Sequence, residues 1–172
     1  MAINNKLTIE GARLVFKNLS GKGSEYNKEG DRNFAVVLDD EQAERLASDG
    51  WAVKVREPRE GYEDEGNFNT LRVNVKFGPN EARNPKIYRI SNGRMVQLTE
   101  NSVGCIDFDD IENVDLVIRP YNWTKANRSG TSAYLEEMYV TVKFSPLQEK
   151  YARYSGDPVH DDFTEPDGEM PY

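Results

Sequence analysis

Short segments rich in β-branched and aromatic residues recur along most of this 172-residue chain, and turn-forming residues separate them. The clearest is TLRVNVKF, residues 70–77, in which apolar residues alternate with Arg72, Asn74 and Lys76. Such alternation places one set of side chains in a core and the other set on a polar face. About seven or eight such segments, few of them separated by helices, predict an antiparallel sheet closed into a barrel or sandwich.

The connections between these segments refine the prediction. Residues 39–50 form the main helical pattern, with an acidic N-cap and Gly50 where a C-terminal glycine belongs. Asn92 and Gly93 predict a tight hairpin turn. Gly11 indicates a bulge or bend within a strand over residues 7–17. A five-stranded Greek-key barrel with an inserted helix and extra hairpins fits this order.

The residues of chemical catalysis are scarce. The chain has one histidine, His160, and one cysteine, Cys105, so neither an internal disulfide nor a His-based triad can be built in the folded body. No GxxxxGK[ST] or GxGxxG segment occurs. Asp107, Asp109 and Asp110 lack the pattern of a calcium loop, so a helix cap and a solvated turn explain them better than a metal site. We therefore expect no enzyme, no metal and no cofactor.

No apolar run approaches the roughly 20 residues that a membrane helix needs. The first eleven residues, MAINNKLTIEG, lack the charged and apolar regions of a secretory signal. With a single cysteine, the chain is typical of a protein of a reducing cytoplasm without a membrane anchor.

Charge is distributed unevenly along the chain. The formal net charge is −8 and the pI about 4.8. Residues 157–172 contain six acids and no Lys or Arg, which leaves 24 acids against 22 bases in the rest of the chain. A nearly neutral body can carry a basic face if its acids lie elsewhere.

One hairpin pattern, with arms at residues 114–123 and 132–144 around the loop TKANRSG, concentrates aromatic and cationic residues. Strand parity puts Arg119 on the same face as Tyr121 and Trp123, and an arginine is rarely buried unpaired. Aromatic rings stack on any nucleobase, and cations bind phosphates without reading sequence. A packed corner, with Arg119 in a salt bridge, is the alternative. The candidate nucleic-acid-binding residues of this hairpin are Arg119, Tyr121, Trp123, Lys125, Arg128 and Tyr134.

Two further basic groups join these candidates. The exposed, flexible loop SGKGSEYNKEGDRN offers Lys22, Tyr26, Lys28 and Arg32 as a clamp for a single strand, although its three acids also fit an ordinary solvated loop. The polar face of residues 70–77 offers Arg72 and Lys76. If the hairpin with Lys86, Arg89 and Arg94 adjoins that face, the two form a basic stripe; otherwise the face is the solvent side of a sheet.

The C-terminal segment, HDDFTEPDGEMPY, is acidic and contains prolines, so we expect disorder. Three interpretations stay open. The tail serves solubility only, it lies on the protein's own basic groove and competes with nucleic acid, or it presents an aromatic-ended acidic peptide to basic pockets on partner proteins. The candidate partner-binding residues are Asp161, Asp162, Phe163 and Tyr172.

The segments NVDLVIRPYNW and GTSAYLEEMYVTV resemble a family of small proteins encoded by tailed bacteriophages and prophages. GARLVFKNLSGKGSEYNKEGDRNFAVVLDD and YRISNGRMVQLTENSVGCIDFDDIENVDL are similar too. The resemblance covers roughly residues 9–152, and IRPYNW and GDRNF are its most specific pieces. Some members are described as phage single-stranded-DNA-binding proteins with an OB-type barrel. The tail is similar in kind to the C-termini of bacterial and phage single-strand binders, but Pro166, Gly168 and Pro171 interrupt its acids.

The resemblance implies a mainly β fold, with an OB-like antiparallel Greek-key barrel over residues 1–154 that carries extra β-hairpins and one or two short helices. A disordered acidic C-terminal tail over residues 155–172 follows. The implied function is sequence-nonspecific binding of single-stranded DNA in the host cytoplasm, in support of phage DNA replication or recombination. Replication or recombination proteins are expected partners of the tail.

Two other classes of function stay open. The low pI also fits an acidic interaction protein, such as a DNA mimic or an inhibitor of a host factor. A β-sandwich would fit a virion or assembly component. The oligomeric state also stays open, and a homodimer is one of the states that the sequence allows. The preference for DNA or RNA stays open as well.

Overall fold

The computed structural model describes residues 5–25, 27–58 and 60–143, together with residues 147, 150 and 151. This part of the chain holds nine strands, one α-helix and three short 3-10 helices. The strands are β1 (Leu7–Ile9), β2 (Arg13–Asn18), β3 (Arg32–Leu38), β4 (Val53–Arg56), β5 (Phe68–Val75), β6 (Lys86–Ser91), β7 (Arg94–Leu98), β8 (Ile111–Lys125) and β9 (Arg128–Val142). The helix α1 spans Asp40–Asp49, and the 3-10 helices span Glu63–Glu65, Glu81–Arg83 and Val103–Phe108.

All nine strands belong to one open mixed sheet, whose main path runs β1-β8-β9-β5-β3-β2. β4 pairs with β5, and the β6–β7 hairpin joins the sheet where β6 pairs with β9. Most pairs are antiparallel, but β9 runs parallel to both β5 and β6. The predicted mainly β fold is confirmed. The parallel pairs were not predicted, because the alternation of a strand does not reveal the direction of its neighbour.

The main core lies along one set of alternating positions. In β5, Leu71, Val73 and Val75 are buried while Arg72 between them is exposed, as the TLRVNVKF pattern predicts. The other side of this part of the sheet is therefore free to carry polar side chains.

The helix α1 begins and ends where the sequence predicts. The Asp39 side chain accepts a hydrogen bond from the Gln42 backbone N–H at 2.7 Å, and the Gln42 side chain accepts one from the Asp39 N–H at 3.2 Å. Gly50 follows in the left-handed region, with φ 107°.

The predicted strand over residues 7–17 is divided. Gly11 has φ 64° and its N–H donates to the Asp115 carboxylate at 2.9 Å, so the chain turns between β1 and β2. β1 then pairs with β8 and β2 pairs with β3. At the other predicted turn, Asn92 and Gly93 both have positive φ, which confirms a tight hairpin between β6 and β7.

Within the described residues, no helix has the length and apolar character needed to cross a membrane.

Candidate nucleic-acid interface

A bulge shifts the pairing register of the β8–β9 hairpin by one residue. Val117 pairs with Glu137 and the next residue, Ile118, pairs with Leu135, so Glu136 is an extra residue in β9. Ile118 and Leu135 beyond the bulge still face the core, where both are buried. The bulge thus keeps the core continuous while the distal half of the hairpin presents a different outward surface.

On that outward surface, Arg119, Tyr121 and Trp123 share one face, as strand parity predicts. Arg119 pairs with Tyr134, and the two rings of Tyr121 and Tyr134 meet edge to face, with centroids 5.6 Å apart at 76°. The Arg119 guanidinium lies 5.5 Å from the Tyr134 ring centroid, close enough for a cation–π contact. Tyr121 is 53% exposed. Arg119, Trp123 and Tyr134 are half-buried. Arg119, Tyr121 and Tyr134 form one contacting group on the outer side of the sheet.

Trp123 lies over the backbone of its cross-strand partner, Gly130. A Cβ at position 130 would stand only 2.7 Å from the Trp123 Cζ2 atom, so the indole occupies the space that a side chain would fill. Trp123 is half-buried. The ring therefore packs on the hairpin's own backbone, and the glycine makes this close approach possible.

The tip of the hairpin carries two cations directly opposite each other. Lys125 pairs with Arg128, both are exposed, and neither forms an ion pair within the described part of the chain. Like charges in cross-strand positions destabilise a sheet. Repulsion between the two charges destabilises the hairpin when nothing is bound. An anionic ligand between them would relieve this repulsion.

The outward surface continues across the sheet. Tyr134 is in register with Asn74, and Asn74 with Asn33, so these side chains share a face, and Arg72 lies two residues further along β5. We call this surface the cationic face: the outward positions of β2–β5 together with those of the β8–β9 hairpin beyond the bulge. Register assigns to it the cations Arg13, Lys54, Arg56, Arg72, Arg119, Lys125 and Arg128. None of the strand positions on this face is an Asp or Glu, and acids resume at Glu136 and Glu137.

The loop SGKGSEYNKEGDRN, residues 20–33, which we call the basic loop, lies at the Asn33 end of the cationic face. The Asn33 side chain donates to the Asn27 side chain at 2.9 Å, and Asn27 in turn donates to the backbone carbonyls of Lys22, Lys28 and Asp31. Lys22 and Lys28 are exposed. The loop is therefore a hydrogen-bonded unit in this structure, and its role as a clamp for a single strand stays a prediction. Tyr26 lies outside the described residues.

The Asp107 carboxylate fixes the other end of this loop. It accepts hydrogen bonds from the backbone N–H groups of Leu19, at 2.7 Å, and Ser20, at 3.1 Å, and from the Ser20 hydroxyl at 2.9 Å. Asp109 instead pairs with Arg89, and Asp110 lies 3.9 Å from Lys143. The three carboxylates therefore serve separate partners. Among the described residues no group of three or more His, Cys, Asp or Glu could hold a metal ion.

Two of the predicted cations lie outside the strand positions that define the cationic face. Arg32 shares the parity of the buried Phe34, forms a 3.3 Å ion pair with Glu100, and has its guanidinium 5.8 Å from the Phe77 ring centroid. Its proposed role in phosphate contact is a prediction that this geometry does not favour. Lys76 is exposed just beyond the end of β5, next to the face.

The basic stripe through the second hairpin does not form. β6 pairs with β7 and β9, not with β5. Arg89 makes two hydrogen bonds to Asp109, at 2.8 and 3.0 Å, and this pairing raises the arginine's pKa above its ordinary value. Burial is the main cause that raises the pKa of the neighbouring Cys105 thiol. The condition for the stripe, that this hairpin adjoins the polar face of β5, is therefore not met, which leaves the alternative that the face of β5 is the solvent side of a sheet.

A second aromatic group on the cationic face was missed in the sequence. Phe16 and Phe68 have ring centroids 6.5 Å apart, and the Arg56 guanidinium lies 5.4 Å from the Phe16 ring centroid. These residues come from β2, β5 and β4, so no local pattern brings them together. The positive φ of Phe16, 52°, is the distinguishing local feature, and it is visible only in the structure.

The predicted tail residues Asp161, Asp162, Phe163 and Tyr172 lie outside the described residues, as does the predicted boundary between residues 154 and 155.

Fold and site together define an OB-like, mainly β protein with aromatic side chains on a cationic sheet face. A family model described as "Putative phage ssDNA-binding domain" matches residues 1–167. The chain belongs to this phage ssDNA-binding domain family.

Solved structures of similar fold come from a bacteriophage. The chain is similar to the single-stranded DNA-binding protein from bacteriophage Enc34 in complex with ssDNA, with a TM-score of 0.53 and 13% sequence identity, over 82% of this chain and 88% of that chain. A second structure of the Enc34 protein matches with a TM-score of 0.50 and 12% identity, over 93% of this chain and 90% of that chain. At this level of identity the likeness shows the OB-like fold. A comparison with curated proteins gives no match.

Proposed function

We propose that this protein binds single-stranded DNA without sequence preference and without catalysis. Bases stack on the rings of the cationic face and its cations neutralise the phosphates. The observation that carries the proposal is the pair of the exposed Tyr121 and the half-buried Tyr134, beside Arg119, on a face whose strand positions include no acid. Membership in the phage ssDNA-binding domain family supports it.

The chemistry of this face fits an unpaired strand better than a duplex. Stacking on Tyr121 or Trp123 requires the π-face of a base, which a duplex keeps covered by its neighbours. Every base has such a face, so binding by stacking tolerates any sequence. The cations contact only the backbone, which positions the strand without reading it. Binding of this kind protects strands exposed during replication or recombination of phage DNA in the host cytoplasm.

Titration of fluorescently labelled dT oligonucleotides at low salt, followed by anisotropy, tests the proposal. Tryptophan emission gives a second signal that reports mainly on Trp123, because the other tryptophan, Trp51, is buried. Tyr121→Ala and Trp123→Ala should each weaken binding by about five- to 150-fold, the loss of one stacked base. Their thermal unfolding should stay close to wild type, since both side chains lie outside the core.

Phe108→Ala is the matched control. Phe108 is an aromatic residue that is 88% exposed, but it lies in the 3-10 helix Val103–Phe108, outside the cationic face. Its removal should leave affinity unchanged. Flat anisotropy and tryptophan emission of the wild-type protein would rule the proposal out and favour an acidic interaction protein that binds no DNA. Unfolding of Trp123→Ala would restore the packed-corner interpretation of the hairpin.

We further propose that the acidic tail, through Asp161, Asp162, Phe163 and Tyr172, binds basic pockets on phage or host replication or recombination proteins. The charge of residues 157–172 supports this, since it complements such pockets. Truncation after residue 154 tests it against the competing idea that the tail occupies the cationic face. Loss of a partner in a pull-down with unchanged dT affinity supports partner binding, whereas tighter dT binding by the truncated protein supports competition.

A further inference from the structure

Phe16 occupies an irregular position in β2. The register with β3 passes from Val15–Ala35 to Asn18–Asn33, so Phe16 and Lys17 together oppose one residue, Phe34. At this bulge Phe16 has φ 52°, a left-handed conformation that is uncommon for a bulky residue and that costs conformational energy. Its side chain is 58% exposed. A strained backbone thus holds a large apolar ring at the surface, where core packing does not explain it.

Two side chains build a site around this ring. Phe68 lies at 6.5 Å with its ring plane tilted by 32°, and Arg56, its register partner across β4–β5, places its guanidinium 5.4 Å from the Phe16 ring centroid. The Arg56 Nε atom is buried and has no hydrogen-bond partner among the described residues. A buried donor without a partner is unfavourable. The Arg56 side chain as a whole is only half-buried, so the outer part of its guanidinium is the part that a phosphate or base carbonyl can contact.

This group lies on the same face as the proposed platform of Tyr121 and Tyr134. Phe68 is six residues from Asn74 along β5, about 20 Å of extended strand, and Asn74 is in register with Tyr134. Between the two groups the outward row of β5 holds the exposed Arg72 and Thr70, which is buried beside its exposed partner Lys54 on β4, and no acid. A flexible polyanion leaving the platform can therefore follow cations to the second group.

We infer that Phe16, Phe68 and Arg56 form a second stacking site, which takes another base of the same DNA strand. Phe16 stacks on the base and Arg56 binds a phosphate or base carbonyl. This inference rests on the proposed single-stranded DNA binding and extends it: the strand crosses the sheet from the β8–β9 hairpin to the β2 bulge. An apolar protein partner would not need the unpartnered arginine or the acid-free surroundings, so an anionic strand with π-faces is the occupant that the chemistry favours.

A fluorophore placed at the site tests the inference directly. Trp123→Phe leaves the buried Trp51 as the only tryptophan, and Phe16→Trp in that background adds one at the second site. Addition of dT12 should quench the emission of the double variant and leave that of Trp123→Phe nearly unchanged. Oligonucleotide anisotropy, measured in the same titration, shows independently whether the strand is bound.

Phe16→Leu measures the contribution of the ring. Leucine keeps an apolar contact with Phe68 but has no π-face, so the affinity for dT12 should fall by about five- to 150-fold. The affinity for dT4 should fall less, because a strand of about four nucleotides can be held by the hairpin platform alone. Phe108→Ala is again the control for an exposed aromatic residue elsewhere.

Failure of the second stacking site and failure of single-stranded DNA binding give different results. If wild-type anisotropy stays flat, single-stranded DNA binding itself fails. If dT12 binds and Tyr121→Ala weakens it, but the tryptophan at position 16 is not quenched and Phe16→Leu binds as wild type, only the second site is overturned. A lower molecular mass for Phe16→Leu in solution, with unchanged dT12 affinity, would assign the group to contact between copies and would also overturn the inference.

Discussion

The indole of Trp123 lies on the backbone of Gly130, with Cζ2 only 2.7 Å from where a Cβ at position 130 would stand. We predict that Gly130→Ala displaces the ring and lowers the affinity for dT oligonucleotides by at least about fivefold, because the indole no longer lies flat for stacking. The free energy of unfolding should change by less than about 1 kcal/mol, since a half-buried ring can move aside. Anisotropy titration and urea unfolding measure the two effects.

Ser129→Ala is the matched control for this prediction. Ser129 is the exposed neighbour of Gly130. It pairs with Thr124, so its side chain lies on the opposite face of the hairpin from Trp123. It should bind as wild type. Unchanged affinity of Gly130→Ala would show that the orientation of Trp123 does not matter for binding.

The paired cations at the hairpin tip make a prediction about salt. Lys125→Gln and Arg128→Gln should each reduce the magnitude of the slope of log affinity against log salt by about 0.7, the value for one phosphate contact with a single strand. Both should weaken binding equally for dT and mixed-sequence oligonucleotides, because backbone contacts do not read bases. Arg94→Gln on β7, away from the cationic face, should leave the slope unchanged. A wild-type slope in Lys125→Gln and Arg128→Gln would show that the tip does not contact the strand.

The hairpin could be predicted from the sequence because its period of two is local. Counting along IRPYNW places Arg119, Tyr121 and Trp123 together without knowledge of any other strand. The same count from Phe34 places Arg32 on the core side, where the structure finds it paired with Glu100. Grouping Arg32 with the loop lysines ignored that parity.

The second aromatic group could not be predicted in this way. Phe16, Phe68 and Arg56 lie on three strands, and their meeting depends on which strands pair and on a bulge in β2. The composition of the loop before β3 likewise predicted exposure but not its order, since that order depends on Asp107, which is distant in sequence. Long-range pairings and bulges are the parts of this fold that local patterns leave undetermined.

Asp107 should be the residue whose loss releases the basic loop. Asp107→Ala removes three hydrogen bonds to Leu19 and Ser20, and hydrogen bonds to a charged group contribute about 1.5–3 kcal/mol, so we expect a loss of stability of this order. Amide hydrogen exchange at Leu19 and Ser20 should accelerate, and trypsin should cleave faster at Lys22 and Lys28. Asp110→Ala, which removes an exposed carboxylate of the same segment, should change stability by less than about 0.5 kcal/mol. Equal effects of the two substitutions would contradict the anchoring role.

The Arg89–Asp109 pair should matter for stability and not for DNA. Asp109→Ala removes both hydrogen bonds to Arg89, and we expect it to lower the free energy of unfolding by about 1.5–3 kcal/mol. Affinity for dT oligonucleotides should stay at the wild-type level, because Arg89 shares the core parity of Val140 at the β6–β9 pair. Urea unfolding and anisotropy separate the two readouts. Weaker binding without loss of stability would instead place Arg89 among the phosphate contacts.

The stability of the fold should fall at alkaline pH. Burial raises the pKa of the Cys105 thiol, and the hydrogen bond that Tyr139 donates to Glu137, at 2.8 Å, raises the pKa of its phenol. Both groups are neutral when protonated, so the folded state holds these protons more tightly than the unfolded state. Their contribution to stability is complete below the ordinary pKa values, about 8.5 for a thiol and 10 for a phenol, and is lost as pH rises above them. The pH dependence of thiol labelling should therefore show a higher midpoint for folded protein than for urea-unfolded protein. Identical midpoints would mean that folding leaves the pKa of Cys105 unchanged.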